Sequence, residues 1–318
     1  MSGSPGRRQV VIMGAAGRDF HNFNIVYRDN PEYSVAAFTA AQIPSIENRI
    51  YPSSLAGEHY PSGIQIIPEA QFEDFCRMQN IDQVVFAYSD VTHEYVMHRA
   101  ARALAAGADF SLLGPRSTMI ESRLPVIAVS AVRTGCGKSQ TSRWISRRLT
   151  DKGLRTAVLR HPMPYGDLVR QGVQRFETVA DMDRAECTIE EREEYEPHVA
   201  AGSVVFAGVD YARILDAAER EADVILWDGG NNDFPFIRPD LHIVLVDALR
   251  PAQVSTHHPG EAALRMADVV VVSKVDSASD DNIRRTIEAA NDVNPHALLV
   301  QAASPVTLDD PECVRGKR

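Results

Sequence analysis

PVIAVSAVRTGCGKSQT, residues Pro125 to Thr141, runs from a short apolar stretch through a glycine-bearing turn into Gly137-Lys138-Ser139 at the head of a helix. That order is what a phosphate-binding loop requires. Val126 to Val129 aim the chain as a strand. Gly135 and Gly137 let the backbone turn and bring its N–H groups close to phosphate oxygens. Thr134, Gly135, Cys136, Gly137, Lys138, Ser139 and Gln140 are therefore read as the nucleotide-binding run. Lys138 supplies a point charge for the β- and γ-phosphates, and the Ser139 hydroxyl suits Mg²⁺. The helix from about Ser139 turns its positive end toward the nucleotide. The chain is expected to bind ATP or GTP with Mg²⁺, and K⁺ is a candidate further cofactor.

One departure sharpens this reading. The usual loop carries glycine six residues before its lysine, where this chain has Val132. Arg133 to Ser139 fits better the variant Lys-Gly-Gly-x-Gly-Lys-Ser/Thr, and so resembles the loops of dimerising P-loop ATPases and metallochaperone GTPases. Arg133 stands where that variant has its first lysine, a cation that reaches a phosphate, often across a dimer interface. A phosphate contact from Arg133 and a homodimer are the expectation; the alternative is a solvated loop charge. Cys136 is read as a small residue that fits the loop, with oxidation sensitivity as the alternative.

Asp223 to Gly230, DVILWDGG, is an apolar strand ending in aspartate and two glycines, about 90 residues beyond the loop lysine. Asp228 is expected to hold Mg²⁺, usually through water. Asn231, Asn232 and Asp233 follow as γ-phosphate neighbours or as turn residues. A later strand ends in Ser273-Lys274-Val275-Asp276, which resembles the Asn-Lys-x-Asp box of GTPases. There Asp276 would accept hydrogen bonds from guanine and the Lys274 stem would pack on the base. Ser273 in place of asparagine leaves the base open. Ala302-Ala303-Ser304 sits where such proteins place a second base-contacting loop.

Arg160 and His161 open a loop at the carboxyl end of a strand, the edge at which α/β sheets bind ligands. His161 is read as a proton shuttle or phosphate contact, with a packed histidine as the alternative. Gly14 to His21, GAAGRDFH, is the first strand-to-helix turn. Its glycines permit an anion at a helix N-terminus but do not complete the dinucleotide fingerprint. Arg18, His21 and Arg160 are the candidate substrate-binding cations, and Lys138, Asp228, Arg133 and His161 the candidate catalytic set.

Strand and helix patterns alternate along the 318 residues, predicting an α/β chain with mainly parallel sheets. A Rossmann-like domain over 1–123, possibly holding substrate, precedes a P-loop nucleotide-binding domain over 124–318. Strands are expected at 9–13, 33–39, 63–67 and 83–88, and a helix at 19–29. Between 162 and 202 lies a long excursion with EEREE at 190–194, read as a solvated helix or loop, with a lid as the alternative. A net charge of −10 argues against non-specific nucleic-acid binding. No apolar run approaches the ~20 residues of a membrane span, and the N-terminus is no signal peptide, so a cytoplasmic location is expected. The four cysteines have no zinc spacing.

Taken together, Met13 to Asn24, Phe86 to Val91, the Arg133-to-Gln140 loop, Arg160 to Asp167 and Trp227 to Phe234 resemble the cyclic 2,3-diphosphoglycerate synthetase family over nearly the whole chain. The resemblance implies ATP-dependent closure of 2,3-bisphosphoglycerate into an intramolecular phosphoanhydride, one substrate phosphate being activated by the γ-phosphoryl group and attacked by the other. Bacterial relatives are often labelled GTPases, so a regulatory or metallochaperone-like GTPase is the alternative. Relatives continue beyond a Gly-Lys-Arg such as Gly316-Lys317-Arg318, so a further C-terminal region is an expectation that the resemblance raises.

Overall fold

The computed structural model describes residues 6–15, 17–41, 49–160, 167–230 and 233–305. The apolar runs of the sequence become strands of two separate sheets. β1 (Arg8–Met13), β2 (Tyr33–Ala40), β3 (Ile50–Tyr51), β4 (Ile64–Pro68) and β5 (Gln83–Phe86) lie in the first, with β7 (Asp109–Leu112) following the short β6 (Val91–Thr92). Their order is β3-β4-β2-β1-β5-β7, parallel except between β3 and β4.

The second sheet holds β8 (Val126–Ala131), β9 (Thr156–Arg160), β10 (Gln174–Phe176), β11 (Val204–Ala207), β12 (Val224–Asp228) and β13 (Leu241–Asp247). Beyond β14 (His257–His258) come β15 (Val269–Ser273) and β16 (Leu298–Ala302). The order is β10-β11-β9-β12-β8-β13-β15-β16, parallel except between β10 and β11.

Parallel strands covered on both faces read as continuous apolar runs, and alternate residues serve opposite cores. Val10 and Ile12 pack into one cluster of the first unit, Val11 and Met13 into the other. On β8, Val126 and Ala128 face one core of the second unit while Val129 and Ala131 face its other.

Three local features differ from the sequence expectation. The helix expected over 19–29 is α-helical only at Arg18–Asn22 and widens into a π-helical turn at Phe23–Tyr27, closed by Arg28 N–H donating to the Phe23 carbonyl at 2.9 Å. β3 and β10, of two and three residues, are too short to leave a periodic pattern. The acidic excursion folds into β10 and the helices Val179–Arg184 and Ile189–Ala200. Each helix is started by a capping box, Thr178 with Asp181 and Thr188 with Glu191. Glu190 and Glu193 face water as expected, but Glu191, Tyr195 and His198 are buried. Their spacing of four and three residues places all three on one helix face.

The two units are joined by more than their linker. β6 and β14 pair antiparallel, with Thr92 opposite His257 and Val91 opposite His258. Arg18 of the first unit, 4% exposed, pairs with buried Asp233 of the second at 2.8 Å. The His21 ring stacks on Phe236 with centroids 4.1 Å apart, and its Nε2 lies 2.6 Å from the Thr118 carbonyl. Asn24 donates to the Val209 carbonyl at 2.9 Å. The carboxyl ends of both sheets' central strands thereby face a shared seam.

Candidate functional site

β8 delivers the glycine loop to the carboxyl edge of the second sheet. Gly135 and Gly137 adopt φ of 84° and 99°, the left-handed region in which a Cβ is costly. The helix Lys138–Asp151 starts immediately after, so its free N–H groups and positive end face the concave side of the loop. Ser139 is half-buried at its second position, while Thr134, Gly135 and Gln140 are exposed. Val132 holds the place of the usual first glycine. A glycine is supplied against it from elsewhere, because a Cβ on Gly260 would lie 2.2 Å from the Val132 carbonyl oxygen.

β12 neighbours β8 directly, with Asp228 opposite Val129, so the aspartate arrives beside the loop. Asp228 is fully buried and is the centre of a charged cluster. Lys138 Nζ lies 2.7 Å from its Oδ1, and Arg160 Nη1 lies 2.5 Å from its Oδ2. His198 Nε2 stands 3.0 Å from the same Oδ2. An ionised carboxylate only accepts, so Nε2 is the protonated nitrogen of that imidazole. Arg160, 1% exposed, also pairs with Glu194, and its carbonyl accepts the Tyr211 hydroxyl at 2.9 Å.

Burial raises the carboxyl of Asp228, but Arg160 and Lys138 more than offset it and hold that carboxyl well below the usual range. Burial outweighs Asp228 at Lys138, whose ammonium titrates below its ordinary value. A buried carboxylate next to a loop hydroxyl is a hard-oxygen pair suited to Mg²⁺ shared with substrate phosphates. Among the described residues, no group of three or more His, Cys, Asp or Glu could hold a metal by itself.

His198 and Glu194 are absent from the residues that motif reading selects. The helix Ile189–Ala200 carries both to Asp228 and Arg160, and its polar buried face hides it from hydropathy. The sequence signal for His198 is its four-and-three spacing with Glu191 and Tyr195, and Glu194 shows only as the last residue of the charge run at 190–194.

Other candidate residues are placed as follows. Arg133 Nε lies 2.9 Å from Asp90 of the first unit, and its Nη1 contacts His257. Thr134 donates to the same Asp90 carboxylate at 2.7 Å. Arg18 and His21 sit in the seam between the units. His161 lies outside the described residues. Burial pushes the Cys136 thiol up to about 11, so it is not a thiolate at neutral pH.

Beyond the end of β15, Lys274 Nζ pairs with Asp247 at 2.8 Å, and Asp276 accepts the Ser304 N–H at 2.8 Å. The buried Ser273 hydroxyl lies 2.7 Å from the Cys136 carbonyl and 3.0 Å from that of Val246. It ties the end of β15 to the glycine loop. Arg250 adds a second tie, donating to the Thr134 carbonyl at 2.8 Å.

Residues 197–303 match the family model described as the P-loop domain of cyclic 2,3-diphosphoglycerate synthetase. The chain is 60% identical over 312 residues to the arginine synthetase ArcE of Thermococcus kodakarensis, covering 98% of this chain and 70% of that protein. It is 31% identical over 119 residues to the cyclic 2,3-diphosphoglycerate synthetase of Thermococcus gammatolerans, covering 37% of this chain and 26% of that protein. The corresponding protein of Pyrococcus furiosus is 27% identical over 94 residues, 30% of this chain and 21% of its own length. Among the described residues, no helix is long and apolar enough to cross a membrane.

Proposed function

We infer the function from one premise, that this chain belongs to the cyclic 2,3-diphosphoglycerate synthetase family. We propose that it is a nucleoside-triphosphate-dependent synthetase whose product is arginine. The observation that carries this reading is the match to an arginine synthetase over nearly the full chain, against matches to cyclic 2,3-diphosphoglycerate synthetases over about a third of it.

Forming a guanidinium in one triphosphate-coupled step requires an oxygen on its carbon to be made a leaving group. A ureido acid meets that need. Its oxygen takes the γ-phosphoryl group as ADP departs, the lone pair of ammonia attacks the same carbon, and phosphate leaves as the adduct loses a proton. Lys138 would meet the β- and γ-phosphates, and loop N–H groups from Thr134 to Gln140 would cradle them. Ser139 and Asp228 would hold Mg²⁺, which neutralises phosphate charge. Arg160, fixed by Asp228 and Glu194, would hold charge developing on the transferred group. His161 and Arg133 are further phosphate contacts in this reading. Lys274 and Asp276 would face the base, ATP being the nucleotide proposed. The protein is further proposed to work as a cytoplasmic homodimer.

The test is to incubate the protein with Mg²⁺, ATP or GTP, citrulline and ammonium, following arginine by mass spectrometry and phosphate by phosphorus NMR. Arginine formed with one phosphate per turnover is expected, and is lost in Lys138→Ala. A cyclic phosphoanhydride signal from 2,3-bisphosphoglycerate instead would favour the second reading, which the P-loop family match over 197–303 supports. Hydrolysis of GTP with neither substrate would return the chain to a regulatory GTPase.

A further inference from the structure

A cavity of about 400 Å³ opens between residues 167–176 and the two helices Val179–Arg184 and Ile189–Ala200. Its size is at the small end of small-molecule sites, which run ~300–1,000 Å³. Its lining residues are mostly charged or polar, with four carboxylates against three guanidiniums beside Phe176 and Ala185.

The guanidiniums are not equivalent. Arg175 is held by both oxygens of Glu221 at 2.6 and 2.7 Å, and Arg184 is paired with Asp181. Arg170 is different: its side chain is 70% exposed, and Glu186 stands 3.8 Å away. Lining the same cavity are Asp167 and the buried Glu191, 3% exposed. Glu191 accepts the Thr188 N–H at 2.9 Å, and the Gln171 amide lies 3.4 Å from its other oxygen. One adaptable cation opposite fixed carboxylates suits a ligand carrying both charges. A doubly phosphorylated anion would meet more repulsion than attraction there.

The place of the cavity is as informative as its lining. Glu191 stands one turn before Glu194 on the same helix, and Glu194 holds Arg160 on Asp228. Glu191 to His198 spans about 10 Å of helix, the scale of an extended amino acid. The cavity wall and the groups that hold the Lys138–Asp228 cluster are thus carried by one helix, within the reach of a single amino-acid ligand.

We propose that this cavity is the amino-acid subsite of the synthetase, with Arg170 taking the α-carboxylate and Glu191 with Asp167 taking the α-ammonium. The proposal rests on the arginine-forming reading above. It is tested by calorimetric titration of L-arginine, and separately of ATP, into the full chain and into Arg170→Glu and Glu191→Gln. Arg170→Glu lies at an exposed position and should fold. Glu191→Gln keeps the shape of the cap.

Both variants should weaken L-arginine binding about tenfold to a hundredfold, the loss of one charge-assisted contact. ATP binding should stay within twofold. Wild type that makes arginine, with both variants binding L-arginine unchanged, overturns the subsite and leaves the arginine reading intact. Wild type that neither makes nor binds arginine overturns both.

Discussion

Asp228→Asn keeps the shape of the side chain and removes one charge from the buried cluster. In the native protein two cations share that carboxylate, Lys138 at 2.7 Å and Arg160 at 2.5 Å. After the substitution Arg160 keeps Glu194, but Lys138 loses the carboxylate it pairs with. Breaking a buried pair costs ~3–5 kcal/mol. The Lys138 side chain is 12% exposed and can turn toward the mouth of the site, which puts the expected cost at the lower end, about 3 kcal/mol.

Equilibrium urea unfolding reads this directly, because Trp227 is buried next to Asp228 and reports on that strand. Lys138→Met in the Asp228→Asn background should then recover part of the loss, a coupling of about 1–3 kcal/mol. The pH dependence is fixed in sign. The folded carboxyl is held well below its unfolded value, so the stability it contributes is complete above about pH 4 and erodes as pH falls through the folded value. The gap between wild type and Asp228→Asn should therefore be flat from about pH 5 to 8 and close under stronger acid. A cost below about 1 kcal/mol, or additive effects with Lys138→Met, would refute the view of Asp228 as the electrostatic centre of the site.

Ser273→Ala should weaken nucleotide binding about tenfold and cost about 1 kcal/mol of stability, since the loop carbonyl of Cys136 loses its hydroxyl partner; nucleotide titration and a melt check both. Gly260→Ala should lower turnover with a KM effect on nucleotide, because the new methyl would fall 2.2 Å from the Val132 carbonyl and must displace the loop; unaltered kinetics would deny the close approach. Burial pushes His242 and His258 down to about 4, so each adds stability that is complete above about pH 6.5 and lost as pH falls toward 4, by up to about 3 kcal/mol; His242→Asn should flatten that slope in unfolding measured from pH 7 to 4.

The parts of the site that the sequence makes legible are those set by local chemistry. Gly135, Gly137 and Lys138 define a turn and a helix start within a few residues, and Asp228 closes an apolar run. The α/β architecture follows from the same kind of signal, because buried parallel strands such as Val269–Ser273 are continuous apolar runs. What escapes is long-range pairing. Nothing near Arg18 in the sequence announces Asp233, and nothing near Arg160 announces Glu194. The helix Ile189–Ala200 escapes for a different reason. Its buried face is made of Glu191, Tyr195 and His198: Tyr195 packs into the apolar core against Phe176, while capping and charge pairing hold the two polar residues that break its hydropathy pattern.

The seam at Asp90 bears on how this chain can be cut. Asp90 holds Arg133 and Thr134, β6 holds β14, and Arg18 and His21 cover Asp233 and Phe236. A fragment begun at Pro125 would keep every residue of the glycine loop yet strip it of these supports. It would leave a buried carboxylate uncompensated and an aromatic face open to water, conditions that favour aggregation over a minimal nucleotide-binding module. The smallest active piece is therefore reached by trimming from the far edges of the two sheets while the stretch from Phe86 to His93 stays attached.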